Sequence, residues 1–318
     1  MPVNLQNENN PANETIHYQQ MSFILQINGL TKYYGRIHAV DQFDLQVSEG
    51  QIFGLLGPNG SGKTTTLGIV LDIIKPARGS YRWFDAEPSA VSRRMIGATL
   101  EQPVFYPHLS AVNNLRIPAR IKGIPFDDFE RVLKLVDLYP RRDDKFRTYS
   151  LGMKQRLAIA SVLIGKPRVL ILDEPTNGLD PQGIFEIRNL IKRIGSEGTT
   201  IILASHLLDE VQKVCSHVAV MHRGKKLFSG SVEEVLTDSE TIELSSANPG
   251  ALADALANFD GVISSTVEGR LILCRVRQGI SPDEVNAFLI GKGIVLNHLR
   301  RRQKSLEQHF FEILQQQS

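Results

Sequence analysis

The sequence predicts an α/β fold, a mainly parallel sheet enclosed by helices, with a small α+β domain at its C-terminus. Short apolar runs at Ile52 to Leu56, Val169 to Leu172 and Thr200 to Ala204 are continuous rather than alternating. That is the composition of strands buried on both faces. Between residue 22 and residue 235 such runs alternate with helical stretches, an order that builds a parallel sheet between helical layers. Past Ser231 the pattern changes to strand, helix, strand, strand, helix, strand.

The elements follow in order. Residues 1–21 are rich in Asn and Gln and poor in large hydrophobes. They bury too little surface to offset the entropy of ordering, which predicts a disordered tail. Phe23 to Ile27 reads as the first strand, and residues 22–235 as one large domain. Asp127 to Leu138 carries a helical pattern. Ser231-Val232-Glu233-Glu234 reads as a capping box opening a helix, since serine and glutamate at that spacing satisfy each other's backbone N–H groups. The second domain, residues 236–318, has strand-like runs at Thr241 to Ser245, Val262 to Glu268, Leu271 to Arg275 and Ile294 to Leu299. Ser281-Pro282-Asp283-Glu284 starts a helix with a cap, a first-turn proline and a reciprocal acid. Ser305 and Gln308 repeat the device before a last helix through Phe310 and Leu314.

Composition narrows the function classes. In 318 residues, 36 basic and 34 acidic side chains leave a net charge of +2, which gives no field for wholesale binding of nucleic acid or anionic membrane. The two cysteines, Cys215 and Cys274, lack the paired spacing of disulfide or zinc frameworks and read as small buried hydrophobes. No apolar run approaches the roughly 20 residues that span a bilayer.

Gly57-Pro58-Asn59-Gly60-Ser61-Gly62-Lys63-Thr64 follows the strand Ile52 to Leu56 and precedes a helical run continuing through Thr65. Glycines there let backbone N–H groups turn inward around phosphate, and the following helix N-terminus adds a favourable dipole. Lys63 is placed to reach the β- and γ-phosphates, and Thr64 to hold Mg²⁺. The loop predicts a P-loop NTPase that binds a nucleotide. The run Val169 to Leu172 ends in Asp173 and Glu174, a pair that sets one carboxylate near the metal and another near the attacking water.

Tyr149-Ser150-Leu151-Gly152-Met153-Lys154-Gln155-Arg156 resembles the signature sequence of ABC transporter ATP-binding proteins, usually Leu-Ser-Gly-Gly-Gln. Pro175-Thr176-Asn177-Gly178-Leu179-Asp180 resembles that family's D-loop, Gln102 its Q-loop glutamine, His206 its switch histidine and Tyr34 its adenine-stacking aromatic. The motifs stand in the family's order over residues 22–235. Taken singly they are weaker: a tyrosine packs, a glutamine is solvated, a strand-end histidine bonds a carbonyl, and Ser150 caps a helix.

The resemblance implies an ATP hydrolase with an antiparallel β-subdomain and a helical subdomain between Gln102 and Ser150. Glu174 is then the general base, with His206 and Gln102 beside it. Tyr34, Gly57 to Thr65 and Lys63 hold ATP, while Thr64, Gln102 and Asp173 hold Mg²⁺. Ser150 and Gly152 contact the ATP of a second chain, either an identical copy or a paired ABC ATPase, and Asp180 lies in the D-loop between them. A separate membrane-spanning permease is the expected partner, reached from the cytoplasmic face of the membrane; Phe105 and Tyr106 read either as exposed aromatics on its docking surface or as core packing. Leu151 and Met153 depart from the usual Gly and Gln, as in the drug-export and bacitracin-resistance branch, which favours export. Ser305-Leu306-Glu307-Gln308-His309-Phe310-Phe311 is similar to the end of that branch's accessory domain. A non-transport ABC ATPase acting on ribosomes or DNA is the rival reading. It carries two cassettes or a coiled-coil insertion, and this sequence shows one uninterrupted cassette with no heptad array.

Overall fold

The computed structural model describes residues 23–100, 104–237, 241–277, 279–302 and 305–310. The tail expected over residues 1–21, Gln102 and the end of the last helix, with Phe311 and Leu314, lie outside these.

Strands β1 (Phe23–Tyr34) and β2 (Ile37–Ser48) form an antiparallel hairpin across Gly35, whose φ of +59° suits glycine. β1 runs well past the Phe23 to Ile27 core expected, because its partner supplies hydrogen bonds along the whole length. β3 (Ile52–Leu56) and α1 (Lys63–Val70) flank the phosphate loop. β4 (Arg78–Trp83) returns to β1, giving the antiparallel order β2-β1-β4. Buried Trp83 donates its indole N–H to the Val70 carbonyl (2.7 Å), tying this sheet to the end of α1.

After α2 (Ala90–Arg94) and β5 (Ile96–Thr99) come the helices α3 (Ala111–Lys122), α4 (Phe129–Leu135) and α5 (Leu151–Leu163). The helix expected over Asp127 to Leu138 is broken here. Phe126–Asp128 is a 3₁₀ turn, and Asp137 at φ +56° turns the chain after α4 so that Val136 and Leu138 can both be buried. Asp128 accepts from Arg131 and from the Gly165 N–H, anchoring that turn to the end of α5. The Arg131 guanidinium and these hydrogen bonds hold its carboxyl below the usual carboxylate range, against the opposing pull of its partial burial.

The chain then alternates β6 (Val169–Asp173), α6 (Pro181–Ser196), β7 (Thr200–Ser205), α7 (Leu208–Val214) and β8 (His217–His222) before β9 (Lys225–Ser231) and α8 (Val232–Thr237). The main sheet has the order β5-β6-β7-β3-β8-β9, parallel throughout except for β9. Alternate residues serve two cores. Phe53, Leu55, Ile171 and Ile202 face α1 and the antiparallel sheet, whereas Leu56, Leu170, Leu172 and Leu203 face the helices. Both faces being covered explains why these strands read as continuous apolar runs.

The C-terminal unit comprises β10 (Thr241–Ser246), α9 (Pro249–Ala257), β11 (Val262–Glu268), β12 (Leu271–Val276), α10 (Pro282–Gly291) and β13 (Leu296–Arg301). Its antiparallel sheet has the order β11-β12-β10-β13, the split βαβ arrangement. Ile242, Leu244, Ile272 and Cys274 pack on Leu252, Leu256, Val285 and Leu289 of the two helices. β13 starts two residues later than the run at Ile294 suggests, because the Ile294 N–H still bonds Leu289 at the end of α10 and Gly293 turns at φ +75°. Cys215 and Cys274 are both free and buried.

Ser305 and Gln308 make the reciprocal cap read from the sequence. The turn they open leaves the second unit: Leu306 and Phe310 are buried with Val211, Cys215, Val232 and Val235 of the larger one, and the Leu306 N–H donates to Gln212 on α7 (3.1 Å).

Candidate functional site

Residues 57–62 leave the C-terminal end of β3 and curl back into α1. Gly57 (φ +152°) and Gly62 (φ +110°) are required here. A Cβ would lie 2.3 Å from the Met221 carbonyl at the first and 2.3 Å from the Ala39 carbonyl at the second. Strands β8 and β2 thus close over the two ends of the loop, while Pro58, Asn59 and Gly60 stay exposed at its tip. Ser61 is buried, and its hydroxyl has no hydrogen-bond partner among the described residues. Such a group costs free energy unless something supplies a partner.

Lys63 opens α1 and is almost wholly buried; its ammonium donates to the Gly57 carbonyl (2.7 Å) and lies 3.5 Å from Glu174 Oε1. Thr64, exposed beside it, donates its hydroxyl to Asp173 Oδ2 (2.8 Å), and Thr65 is half-buried one residue further on. Asp173 ends β6 and is buried. Glu174 follows at φ +49°, a left-handed conformation uncommon for glutamate, with its N–H bonded to Ala204 of β7 (2.9 Å). Its second oxygen lies 2.8 Å from His206 Nδ1, just past the end of β7. One carboxylate is therefore held between an ammonium and an imidazole, at the end of the sheet where α/β proteins bind ligands. Glycine turns, an inward lysine and a helix N-terminus form a cradle suited to polyphosphate. The hard oxygen donors of Thr64 and Asp173 suit Mg²⁺.

Ser150 and Gly152 belong to a different surface. Ser150 caps α5, its hydroxyl accepting from the Met153 N–H (3.3 Å), and both it and Leu151 are exposed. A Cβ on Gly152 would meet nothing within 4 Å, so no packing inside the chain requires glycine there. Asp180 caps α6 by accepting from Gly183 N–H (2.9 Å). The loop before it leans on Leu151, which lies 3.3 Å from where a Gly178 Cβ would stand. Arg156 pairs with Glu186, so α5 and α6 are joined below that contact. Tyr34, at the hairpin end of β1, is about half exposed, with the Lys32 ammonium 5.4 Å from its ring centroid.

Two features had no clear signal in sequence. The Met221 and Ala39 carbonyls that seal the loop are backbone atoms; only the glycines opposite them hint at a close approach. The left-handed Glu174 carries no residue-type marker at all.

A family model described as ABC transporter matches residues 40–177. The chain is 32% identical over 301 residues to the bacitracin transport ATP-binding protein BcrA of Enterococcus faecalis, covering 92% of this chain and 97% of that one. This chain belongs to the ABC transporter ATP-binding protein family. It is an ATPase cassette that binds nucleotide and hydrolyses ATP. The Nod factor export ATP-binding protein I of Cupriavidus metallidurans is 36% identical, with 92% of this ABC protein and 98% of the relative aligned. Both alignments are too long to be confined to the larger unit, so these relatives extend over the C-terminal unit as well. Among solved structures, cbiO1 of Clostridium perfringens, part of the ABC transporter complex cbiONQ, superposes with a TM-score of 0.62 at 33% identity. It covers 68% of this chain and 92% of its own. Among the described residues, no helix is long and apolar enough to cross a membrane.

Proposed function

We propose that this ABC protein powers export through a separate membrane-spanning permease, as one of two ATPase chains that share each ATP between them. The observation that carries the reading is the Glu174 carboxylate, fixed between Lys63 (3.5 Å) and His206 (2.8 Å) beside the Thr64–Asp173 pair. Lys63 and the N–H groups of Gly57 to Thr65 bind the phosphates, and Tyr34 offers its exposed ring to adenine. Glu174 orients the attacking water and accepts its proton. His206 holds the carboxylate in place and faces the γ-phosphate. Thr64 and Asp173 would hold Mg²⁺, which supplies charge neutralisation on the phosphate oxygens when bound. Gln102, the remaining candidate for water or metal, lies outside the described residues.

Ser150 and Gly152 make the complementary surface, an uncovered helix N-terminus on α5 suited to the γ-phosphate held by a second chain, with Asp180 at the seam. Relatives named for bacitracin transport and Nod factor export support export as the direction. A hollow of about 410 Å³ lies between α3 and the end of β5, lined by Leu100, Val104, Phe105, Tyr106, Ile117 and Ile121. Val104 and Ile121 are 96% and 81% exposed, while Phe105 is half-buried against Phe146. We assign the hollow to a permease segment, which would hold the protein at the inner face of the membrane.

Purification of the tagged chain from membranes tests the reading. A polytopic permease should accompany it, and the presence or absence of a second, unlike ATPase decides between homodimer and mixed pair. Recovery on ribosomes or DNA without a permease would overturn it.

A further inference from the structure

His206 is placed from two directions. Its imidazole meets Glu174 Oε2 (2.8 Å), and its backbone lies in the turn between β7 and α7, where the buried Ser205 hydroxyl accepts from the Leu207 N–H (3.0 Å). The imidazole therefore stands where α7 sets the end of that turn. α7 itself is poorly equipped to fix its own position. It has seven residues, and no side chain caps its N-terminus. A helix that short is marginal in water and takes its place from what it packs against.

Two of its supports come from the larger unit. Val211 presses on β3, where a Cβ on Gly54 would lie 2.5 Å from its methyl group, and Glu210 pairs with Arg188 of α6 (3.1 Å). The third comes from the end of the chain. Gln212, one position round the helix from Val211, accepts the Leu306 N–H (3.1 Å), and Leu306 is buried in the same cluster as Val211 and Cys215. The His309 ring stands edge-on to Phe228 of β9, with centroids 5.5 Å apart, so the C-terminal turn at residues 305–310 touches both α7 and β9. Arg302 is still part of the C-terminal sheet, its N–H donating to the Thr241 carbonyl (2.8 Å). Only residues 303 and 304 lie between that sheet and the turn, a link that reaches at most about 11 Å.

We propose that the C-terminal turn is a positioning element for ATP hydrolysis: Leu306 and Gln212 fix α7, and through it the contact of His206 with Glu174. The inference rests on the roles proposed above for His206 and Glu174. It places the rate of hydrolysis under the control of the C-terminal unit, because a shift of that sheet is passed to α7 through the short link. Neither Leu306 nor Gln212 belongs to the phosphate cradle, which is built on β3 and α1. A misplacement of about 1 Å at reacting groups can cost ~100-fold in rate. The effect of loosening the turn therefore falls on kcat and leaves ATP affinity as it is.

The test uses the full chain at one fixed concentration, well below its melting temperature, with ATP hydrolysis and ATP binding measured separately. Gln212→Met keeps the length of the side chain but removes the acceptor, and should lower kcat ~5–10-fold with the ATP dissociation constant unchanged. Gln212→Glu keeps an acceptor oxygen and should restore the rate. Leu306→Ala, which loosens the turn without altering α7, should match Gln212→Met. Gln212 is half-buried, so the first pair carries the test even where Leu306→Ala, which empties a core position, fails to fold. A cycle with His206→Ala then separates positioning from general stability. Groups that act as a unit are strongly non-additive, so once His206 is gone Gln212→Met should lower kcat by less than ~2-fold. Independent, multiplying effects, or Gln212→Met with undiminished kcat, would overturn the proposal and leave the reading of the site standing. A His206→Ala chain of full activity would overturn both.

Discussion

The two surfaces proposed to hold ATP are built in opposite ways. Glu174 is bonded to both Lys63 and His206, and Asp173 to Thr64, at the ends of three adjacent strands, with Lys63 and Asp173 buried. Ser150 and Gly152 are surface residues whose bonds are local: a first-turn cap and an open glycine. A buried charged cluster has its geometry set by the chain itself and its members are costly to remove singly. An exposed helix end without packing demands is formed for something outside the chain. The first surface can therefore hold nucleotide alone, whereas the second acts only when another chain is opposite.

Mutations should separate the two. The largest effect is expected for Glu174→Gln, which keeps the shape of the side chain but removes the base: kcat should fall ~10²–10⁴-fold with ATP affinity retained. Undiminished turnover would take Glu174 out of that role. Lys63→Ala should weaken ATP binding ~10–100-fold, the worth of a charge-assisted bond to phosphate, read by isothermal titration of the isolated chain. Tyr34→Ala should cost about 1–3 kcal/mol of ATP affinity if its ring stacks on adenine; equal affinity would make Tyr34 a packing residue. The smallest effect sharpens the comparison most. Gly152→Ala should stabilise the fold by about 0.5–1 kcal/mol in thermal unfolding, because the new methyl meets nothing and alanine is the better helix former. If a second chain's phosphate approaches there, hydrolysis should nevertheless fall. A variant both more stable and fully active would leave Gly152 without a functional role.

What could be read in advance divides along the same line. The strands β3, β6 and β7 were legible because each is covered on both sides, and the loop before Lys63 because phosphate binding fixes residue types at fixed spacing. β2 carries a different signal, Phe43, Leu45 and Val47 alternating with Asp44 and Gln46 as in a strand buried on one face, and Asp41-Gln42 interrupts it, so that β1 and β2 stand out as one hairpin only when paired. The Asp127 to Leu138 pattern misled because Asp128 bonds across to Gly165, some 37 residues away in sequence, and no local pattern encodes a long-range bond. The same limit hid the destination of Leu306 and Phe310. Their cap was plain in the sequence, whereas their burial beside α7, which begins two residues after His206, depends on how the chain returns.

The most direct test of the shared site mixes two inactive chains in equal amounts with the permease, one carrying Lys63→Ala and the other Ser150→Arg. Each alone lacks one of the two surfaces in every site. A mixed pair contains one complete site, made from the Lys63 loop of one chain and the Ser150 surface of the other. ATP hydrolysis should reappear on mixing; a mixture as inactive as either chain alone would contradict the division of the site between two chains.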